Sequence, residues 1–290
     1  MTCRTYNEYN IRYLGWYTTS VSSHNNPGDR ELQIDSTEFW LVSDMNANST
    51  VMPSLDTDTN LMSIGNNEIP DTETYYWLAP QQYTGNRIGS YSLNLEFSVS
   101  WIVMRGDTSG IPTQVPDIIL IGSNGLRIGS GNSQYDSRDN LTLSLPLLES
   151  HFYHIPPGLN DIIAEFTSEE MYMGGAVTKE QFLSVLTDVK HVLLRAKYHT
   201  DQAETSLSWA RLETGSEDPS GQGELLDNIE QCTCPLGYRG LSCESCDFGY
   251  ARVLPDNEHR HAVCTLCDCN KHAATCDPMS GQCSVSINNS

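Results

Sequence analysis

From residue 4 to residue 231 the sequence has no cysteine, and throughout it is short of basic side chains. Sixteen Lys and Arg stand against 37 Asp and Glu, a net charge of −21. Phosphate backbones are held by clustered cations, so this balance excludes a nucleic-acid partner and disfavours anionic membranes. No run approaches the ~20 apolar residues that a spanning helix needs, which excludes membrane insertion by a helix. Met1-Thr2-Cys3-Arg4 lacks the apolar stretch of a signal peptide, so a secretion signal is expected outside these 290 residues. Catalytic patterns are missing as well. There is no Gly-x-Ser-x-Gly elbow and no phosphate-binding glycine loop. His151-x-x-His154 lacks the glutamate of a zinc-hydrolase helix, and Pro156-Pro157 argues against a helix there. The chain is read as a non-enzyme with no cofactor.

What is present is concentrated at one end. Nine of the ten cysteines fall after residue 231: Cys232, Cys234, Cys243, Cys246, Cys264, Cys267, Cys269, Cys276 and Cys283. That tail has too few apolar residues to fold without cross-links, whereas the cysteine-free body is long enough for its own core. Cys243-x2-Cys246, seventeen residues, then Cys264-x2-Cys267 also fits a four-cysteine zinc site. Zinc would leave five cysteines of the tail unexplained. Sequons at Asn48, Asn140 and Asn288 agree with an oxidising, secretory route, so disulfides are the preferred reading.

The run Cys232-Thr-Cys-Pro-Leu-Gly-Tyr-Arg-Gly-Leu-Ser-Cys-Glu-Ser-Cys-Asp-Phe-Gly-Tyr250 resembles the second half of a laminin-type EGF-like module. Cys267-Asp-Cys-Asn-Lys-His-Ala-Ala-Thr-Cys-Asp-Pro-Met-Ser-Gly-Gln-Cys283 resembles the first half of the next. The resemblance implies the pairs Cys234–Cys243, Cys246–Cys264, Cys267–Cys276 and Cys269–Cys283. Gly237, Gly240 and Gly249 would serve tight turns between them. In this family a large domain can split one module. Cys3 then matches the third cysteine and Cys232 the fourth, with partners expected upstream of Met1, or with each other in an isolated piece. The implied organisation is 1–10, the end of a half-module; 11–226, the inserted domain; 227–266, the second half-module; and 267–290, a truncated next module.

The body reads as mostly β. Tyr91, Leu93, Leu95, Phe97, Val99, Trp101 and Val103 alternate with polar residues, the mark of a strand with one face on a core. Further strands are expected at 75–78, 117–121, 126–129, 141–145, 162–166, 191–198 and 206–213, with a hairpin turn at Ser123-Asn124-Gly125. One short helix is expected over 179–189. Thr178 and Gln181 form its capping box, and Phe182, Val185, Leu186 and Val189 its apolar stripe. The fold class is an antiparallel β-sandwich of jelly-roll type, followed by small disulfide-rich EGF-like modules. The segments Tyr76–Tyr91, Pro116–Leu120 and Phe182–Ala196 are similar to a laminin IV type A domain; residues 11–70 match only loosely. The resemblance implies a secreted, basement-membrane matrix protein whose partners are other matrix proteins and integrin-type receptors.

Arg105-Gly106-Asp107 is the cell-attachment candidate, because such receptors take an exposed aspartate at a metal and an arginine in an acidic pocket. Its plainer reading is a hairpin loop. Ser220-Gly-Gln-Gly223 among acidic residues resembles a glycosaminoglycan attachment site, and equally a solvated linker. Asp56-x-Asp58-x-Asn60 begins like an EF-hand but has Leu61 where glycine is needed. A structural calcium is expected only by resemblance to jelly-roll carbohydrate-binding modules, without named ligands. The alternative function, a carbohydrate-binding sandwich, would need exposed aromatics among Trp16, Trp40, Trp77, Trp101 and Trp209, although Trp101 lies on the expected core face.

Overall fold

In the computed structural model the described residues are 2–4, 17–22, 39–56, 61–69, 74–104, 110–136, 140–163, 169–216, 231–240, 243, 245–253, 263–269, 276, 282 and 283. The chain divides into two compact units, Thr18–Ser216 and a smaller one made of Met1–Tyr17 with Glu217–Ser290. In chain order the strands are β1 (Thr2–Arg4), β2 (Tyr17–Ser22), β3 (Leu41–Ser43), β4 (Thr50–Val51), β5 (Ser54–Asp56), β6 (Leu61–Gly65), β7 (Tyr76–Leu78), β8 (Asn94–Val103), β9 (Ile118–Gly122) and β10 (Arg127–Ser130). They continue as β11 (Leu141–Pro146), β12 (Phe152–His154), β13 (Val189–Arg195), β14 (Gln202–Ser216), β15 (Gln231–Thr233), β16 (Tyr238–Arg239), β17 (Ser245–Cys246), β18 (Tyr250–Val253) and β19 (Val263–Leu266).

The larger unit is a two-sheet antiparallel sandwich. One sheet runs β12-β10-β9-β13-β7-β3-β4; the other runs β11-β8-β14-β6-β5, with β2 also on β14. Successive strands change sheet at β2–β3, β4–β5, β6–β7, β7–β8, β8–β9, β10–β11, β11–β12 and β13–β14, connectivity of the jelly-roll kind. β9 and β10 form the expected hairpin: Gly125 has φ +80° and the Leu126 amide donates to Asn124 Oδ1. Between the sheets, Leu120 and Val192 meet Leu95 and Leu212. On β8 the residues Leu95, Phe97, Val99 and Trp101 are buried while Ile102 is exposed, as alternation requires. The strand begins at Asn94 rather than Tyr91, because the chain before it turns through a 3-10 segment at Ile88–Ser90 and a left-handed Ser92.

The first sheet is covered on both faces. Tyr76, Leu78, Ile119, Ile121 and Leu193 point away from the second sheet, yet they are buried beneath Met45, Ile155, Ile162 and Tyr172. Two expectations fail here for one reason. No strand forms at 162–163, because the Ile162 amide donates to the Asp161 carboxylate, which also receives the Thr74 amide. The segment is a lid on the sheet instead of a member of it. A one-turn helix, α1 (Glu169–Tyr172), adds Tyr172 to the same cover, so the described residues of the sandwich hold two α-helices where one was expected. The other, α2 (Lys179–Thr187), carries the Thr178–Gln181 capping box and buries Phe182, Val185 and Leu186.

At the end of β13 lies a buried ion pair. Arg195 Nη1 is 3.0 Å from Asp117 Oδ1, and both side chains are almost fully shielded from solvent. All five guanidinium hydrogens find acceptors. Nε donates to the Lys197 carbonyl, Nη1 to Asp117 and the Ser133 carbonyl, and Nη2 to the carbonyl and hydroxyl of Thr113. Tyr135 Oη donates to the other carboxylate oxygen at 2.9 Å. Gly131, at φ +79°, admits that carboxylate, since a Cβ there would overlap it. The guanidinium sits 4.5 Å from the Tyr198 ring centroid, and Tyr198 stacks on Trp101 of β8 at 4.3 Å. β13 ends at Arg195, not at Tyr198, because the Tyr198 amide is taken by Gln202 Oε1. Burial pushes the Asp117 carboxyl up from its ordinary value, while the Arg195 charge and the hydrogen bonds pull it back.

Removing one member of this pair strands the other in the core. Arg195→Met is expected to cost the sandwich about 3–5 kcal/mol in urea unfolding, and Arg195→Met with Asp117→Leu clearly less than the two single changes summed. An additive double mutant would contradict the coupling. Burial also raises the ionisation of Tyr75, Tyr76, Tyr83, Tyr153 and Tyr198, and takes Tyr135 and Tyr172 to about 12. A group with a raised folded pKa gives stability that is intact below its unfolded value near 10 and lost as pH rises beyond it. In a 295 nm titration these tyrosines should therefore ionise only together with alkaline unfolding.

Candidate functional site

Among the described residues of the smaller unit few apolar side chains are buried, and sulfur takes their place. Cys234–Cys243, Cys246–Cys264, Cys267–Cys276 and Cys269–Cys283 are joined, with Cα separations of 5.3–5.9 Å. These are the pairs that the laminin-type pattern implies. Among the described residues its small core is Ala251 against Cys267, Cys269 and Cys276. Two-stranded ribbons, β16–β17 and β18–β19, hang between the bridges. The Cys264 amide donates to Tyr238 Oη at 3.1 Å, and the Cys267 amide to the Gly249 carbonyl at 2.9 Å. Gly237, at φ +91°, is required twice over. Its turn is left-handed, and a Cβ would lie 2.7 Å from the Tyr250 ring.

β1 and β15 pair antiparallel, with Cys3 opposite Cys232 and Arg4 opposite Gln231. The chain therefore leaves the smaller unit on one strand and returns to it on the adjacent one. The side chains of Cys3 and Cys232 lie outside the described set.

Arg105, Gly106 and Asp107 lie outside the described residues, but the residues on either side of 105–109 are well placed. Met104 donates from its amide to the Asp201 carbonyl. Ile111 and Thr200 exchange bonds, the Ile111 amide to Thr200 Oγ1 and the Thr200 amide to the Ile111 carbonyl, both at 3.0 Å. Pro112 bridges His199. Residues 104, 111 and 112 are thus fastened to the β13–β14 turn. Ile102, Met104 and Ile111 are exposed around it.

Ser220, Asn288 and the Asp58–Asn60 stretch lie outside the described residues, while Asn48 and Asn140 are exposed. His151 and His154 flank the short strand β12, and His154 Nε2 lies 3.0 Å from Gln181 Oε1. Among the described residues no group of three or more His, Cys, Asp or Glu comes together as a metal site. Of the four described tryptophans, Trp40, Trp77 and Trp101 are buried and Trp209 is half-buried, so they make no exposed stacking platform for a sugar. The Arg195–Asp117 knot was not foreseen. Its only trace in the sequence is one arginine closing the apolar run Val192-Leu193-Leu194.

One chain that carries a cysteine-free jelly-roll sandwich and a separate disulfide-stapled unit defines a modular extracellular protein. Comparison with known proteins gives the family. The laminin B (domain IV) model matches residues 76–230 and the laminin EGF domain model residues 224–260, and the chain belongs to the laminin domain IV family. The basement membrane-specific heparan sulfate proteoglycan core protein of Mus musculus (perlecan) is 30% identical over 73% of the chain. The basement membrane proteoglycan of Caenorhabditis elegans and human laminin subunit alpha-1 are also 30% identical over 73% of it. The chain spans only 5–7% of these relatives' lengths. The run Gly240–Asp247 favours the proteoglycan members, with the laminin chains second. The L4b domain of human laminin alpha-2 superposes with a TM-score of 0.52 at 15% identity, covering 70% of this chain and 99% of that one, which speaks for the fold.

Because the bridges lie in the smaller unit, reduction should separate the two units' stabilities. Each bridge is typically worth about 2–4 kcal/mol, mainly by limiting the unfolded chain. Dithiothreitol is expected to make the cysteine-rich tail proteolytically labile while the sandwich keeps its near-ultraviolet circular dichroism and its melting transition. Joint loss of both would refute that independence.

Proposed function

We propose that the chain acts as a stiff modular spacer in the extracellular matrix and displays the 105–107 loop as an attachment site for integrin-type receptors. Membership of the laminin domain IV family supports a structural role in a basement-membrane matrix. The spacer reading rests on one observation above all: Arg4 lies opposite Gln231, so an inserted domain of some two hundred residues leaves the small module's own path continuous. Surface can be added to such a rod without changing the spacing of its modules. Other matrix proteins are the partners this role requires.

Support for attachment comes from the loop's stem. Short loops recognised by receptors bind best when their ends are held, because less chain entropy is lost on binding. The bonds from Met104, Ile111 and Thr200 hold these ends beside exposed apolar side chains.

The test is cell adhesion to the immobilised protein. Asp107→Glu is expected to abolish integrin-dependent attachment, as should chelation of divalent cations, while leaving the melting transition unchanged. Undiminished adhesion by the folded Asp107→Glu protein would remove the receptor role and leave the spacer role standing.

A further inference from the structure

A sheet that ends in solvent presents a row of unpaired amides and carbonyls, and proteins manage such edges because they template association. Apart from β2, the two sheets of this sandwich end at four strands: β12, β4, β11 and β5. β12 is covered. His154 exchanges backbone bonds with Gly174 and Gly175, and Tyr153 bridges Ala176. β5 is three residues long, follows Pro53 and ends in Asp56. β4 is shorter still, two residues, with Pro53 close behind it; β11 is the long edge, with a proline only at its last residue. Among the described residues, β4 pairs only with β3 and β11 only with β8. Thr50-Val51 and Leu141-Thr-Leu-Ser-Leu-Pro146 contain no charged residue. The second is six residues of alternating leucine, with each leucine half-exposed, and the first adjoins the exposed Met52 and Leu55. By the usual rules β11 is the association-prone edge.

Each of these two strands begins within a sequon. Asn48-Ser49-Thr50 runs into the first residue of β4, and Asn140-Leu141-Thr142 into the first two residues of β11. Both asparagines are exposed. Asn48 stands on a turn fixed by Asp44, whose carboxylate accepts the Asn46 and Asn48 amides at 2.9 and 3.0 Å, with Ala47 in the left-handed region at φ +58°. We propose that Asn48 and Asn140 carry N-linked oligosaccharides and that the one at Asn140 guards the long uncharged edge of β11 against strand-to-strand association. In the modification, the carboxamide nitrogen attacks the anomeric carbon of a lipid-diphosphate-linked oligosaccharide. The Nδ2–C1 bond forms, the bond from C1 to the diphosphate oxygen breaks, the lipid diphosphate leaves, and the nitrogen gives up one proton to base. The sandwich spends no core residue on this protection. A hydrated branched glycan rooted at the strand's first turn sweeps the space a pairing strand would need.

The experiment uses the whole chain secreted from eukaryotic cells. Enzymatic release of glycans in 18O-labelled water should leave a mass-tagged aspartate at both 48 and 140. Native deglycosylation of the folded protein, and separately Asn48→Gln with Asn140→Gln, should convert a monomeric light-scattering peak into a concentration-dependent mixture of oligomers. In the Asn140→Gln background, Thr142→Lys should restore the monomer at that edge, since a lysine there is the device that other sheets use. Unmodified asparagines would overturn the proposal. So would a deglycosylated protein that stays monomeric, or association that Thr142→Lys fails to reduce, which would point to bulk solubility instead of edge protection.

Discussion

The guanidinium of Arg195 holds the sandwich together at the point where the most segments meet. It closes β13, pairs with Asp117 at the entry to β9, and takes carbonyls from Thr113, Ser133 and Lys197. Its face rests on Tyr198, which stacks on Trp101 of the opposite sheet. A charge so deep is tolerable only if every donor is satisfied, and here every donor is. The demand runs outward. Thr113 and Ser133 must lie where their carbonyls converge, Gly131 must lack a side chain, and β13 must stop where Gln202 takes over the backbone. Loops that would otherwise be free to vary are fixed by one side chain.

Much of the fold was legible because it follows from periodicity. The alternation of β8, the Ser-Asn-Gly turn and the Thr178–Gln181 capping box each express a local rule, and each appears where that rule places it. What escaped was decided at a distance. Ile162 looked like strand because it is apolar in an apolar run, but Asp161 captures its amide and turns the segment into a cover. The two-sided burial of the first sheet had a signal that went unread: Ile118-Ile119-Leu120-Ile121 is apolar without alternation, as a strand covered on both faces must be. β3 to β6 are short and broken by polar turns, so no pattern long enough to recognise exists there. The disulfide pairs were legible only through family resemblance, since spacing alone leaves several connectivities open.

The two units solve the problem of stability by opposite means. The sandwich buries large aromatic and aliphatic side chains and needs no covalent help. Among its described residues the cysteine-rich unit buries little beyond Ala251 and its own sulfurs, and it relies on restricting the unfolded chain. Oxidising surroundings are thus a condition for the second unit and immaterial to the first. That division fits a matrix protein built by repetition, where small units recur and a large one is inserted where surface is wanted.

The adjacency of Arg4 and Gln231 has a mechanical meaning. Tension applied to the chain on either side of these strands is borne first by the ladder between β1 and β15, because they pair directly. The sandwich's own strands take no part in that ladder, so its core need not resist the pull until the ladder parts.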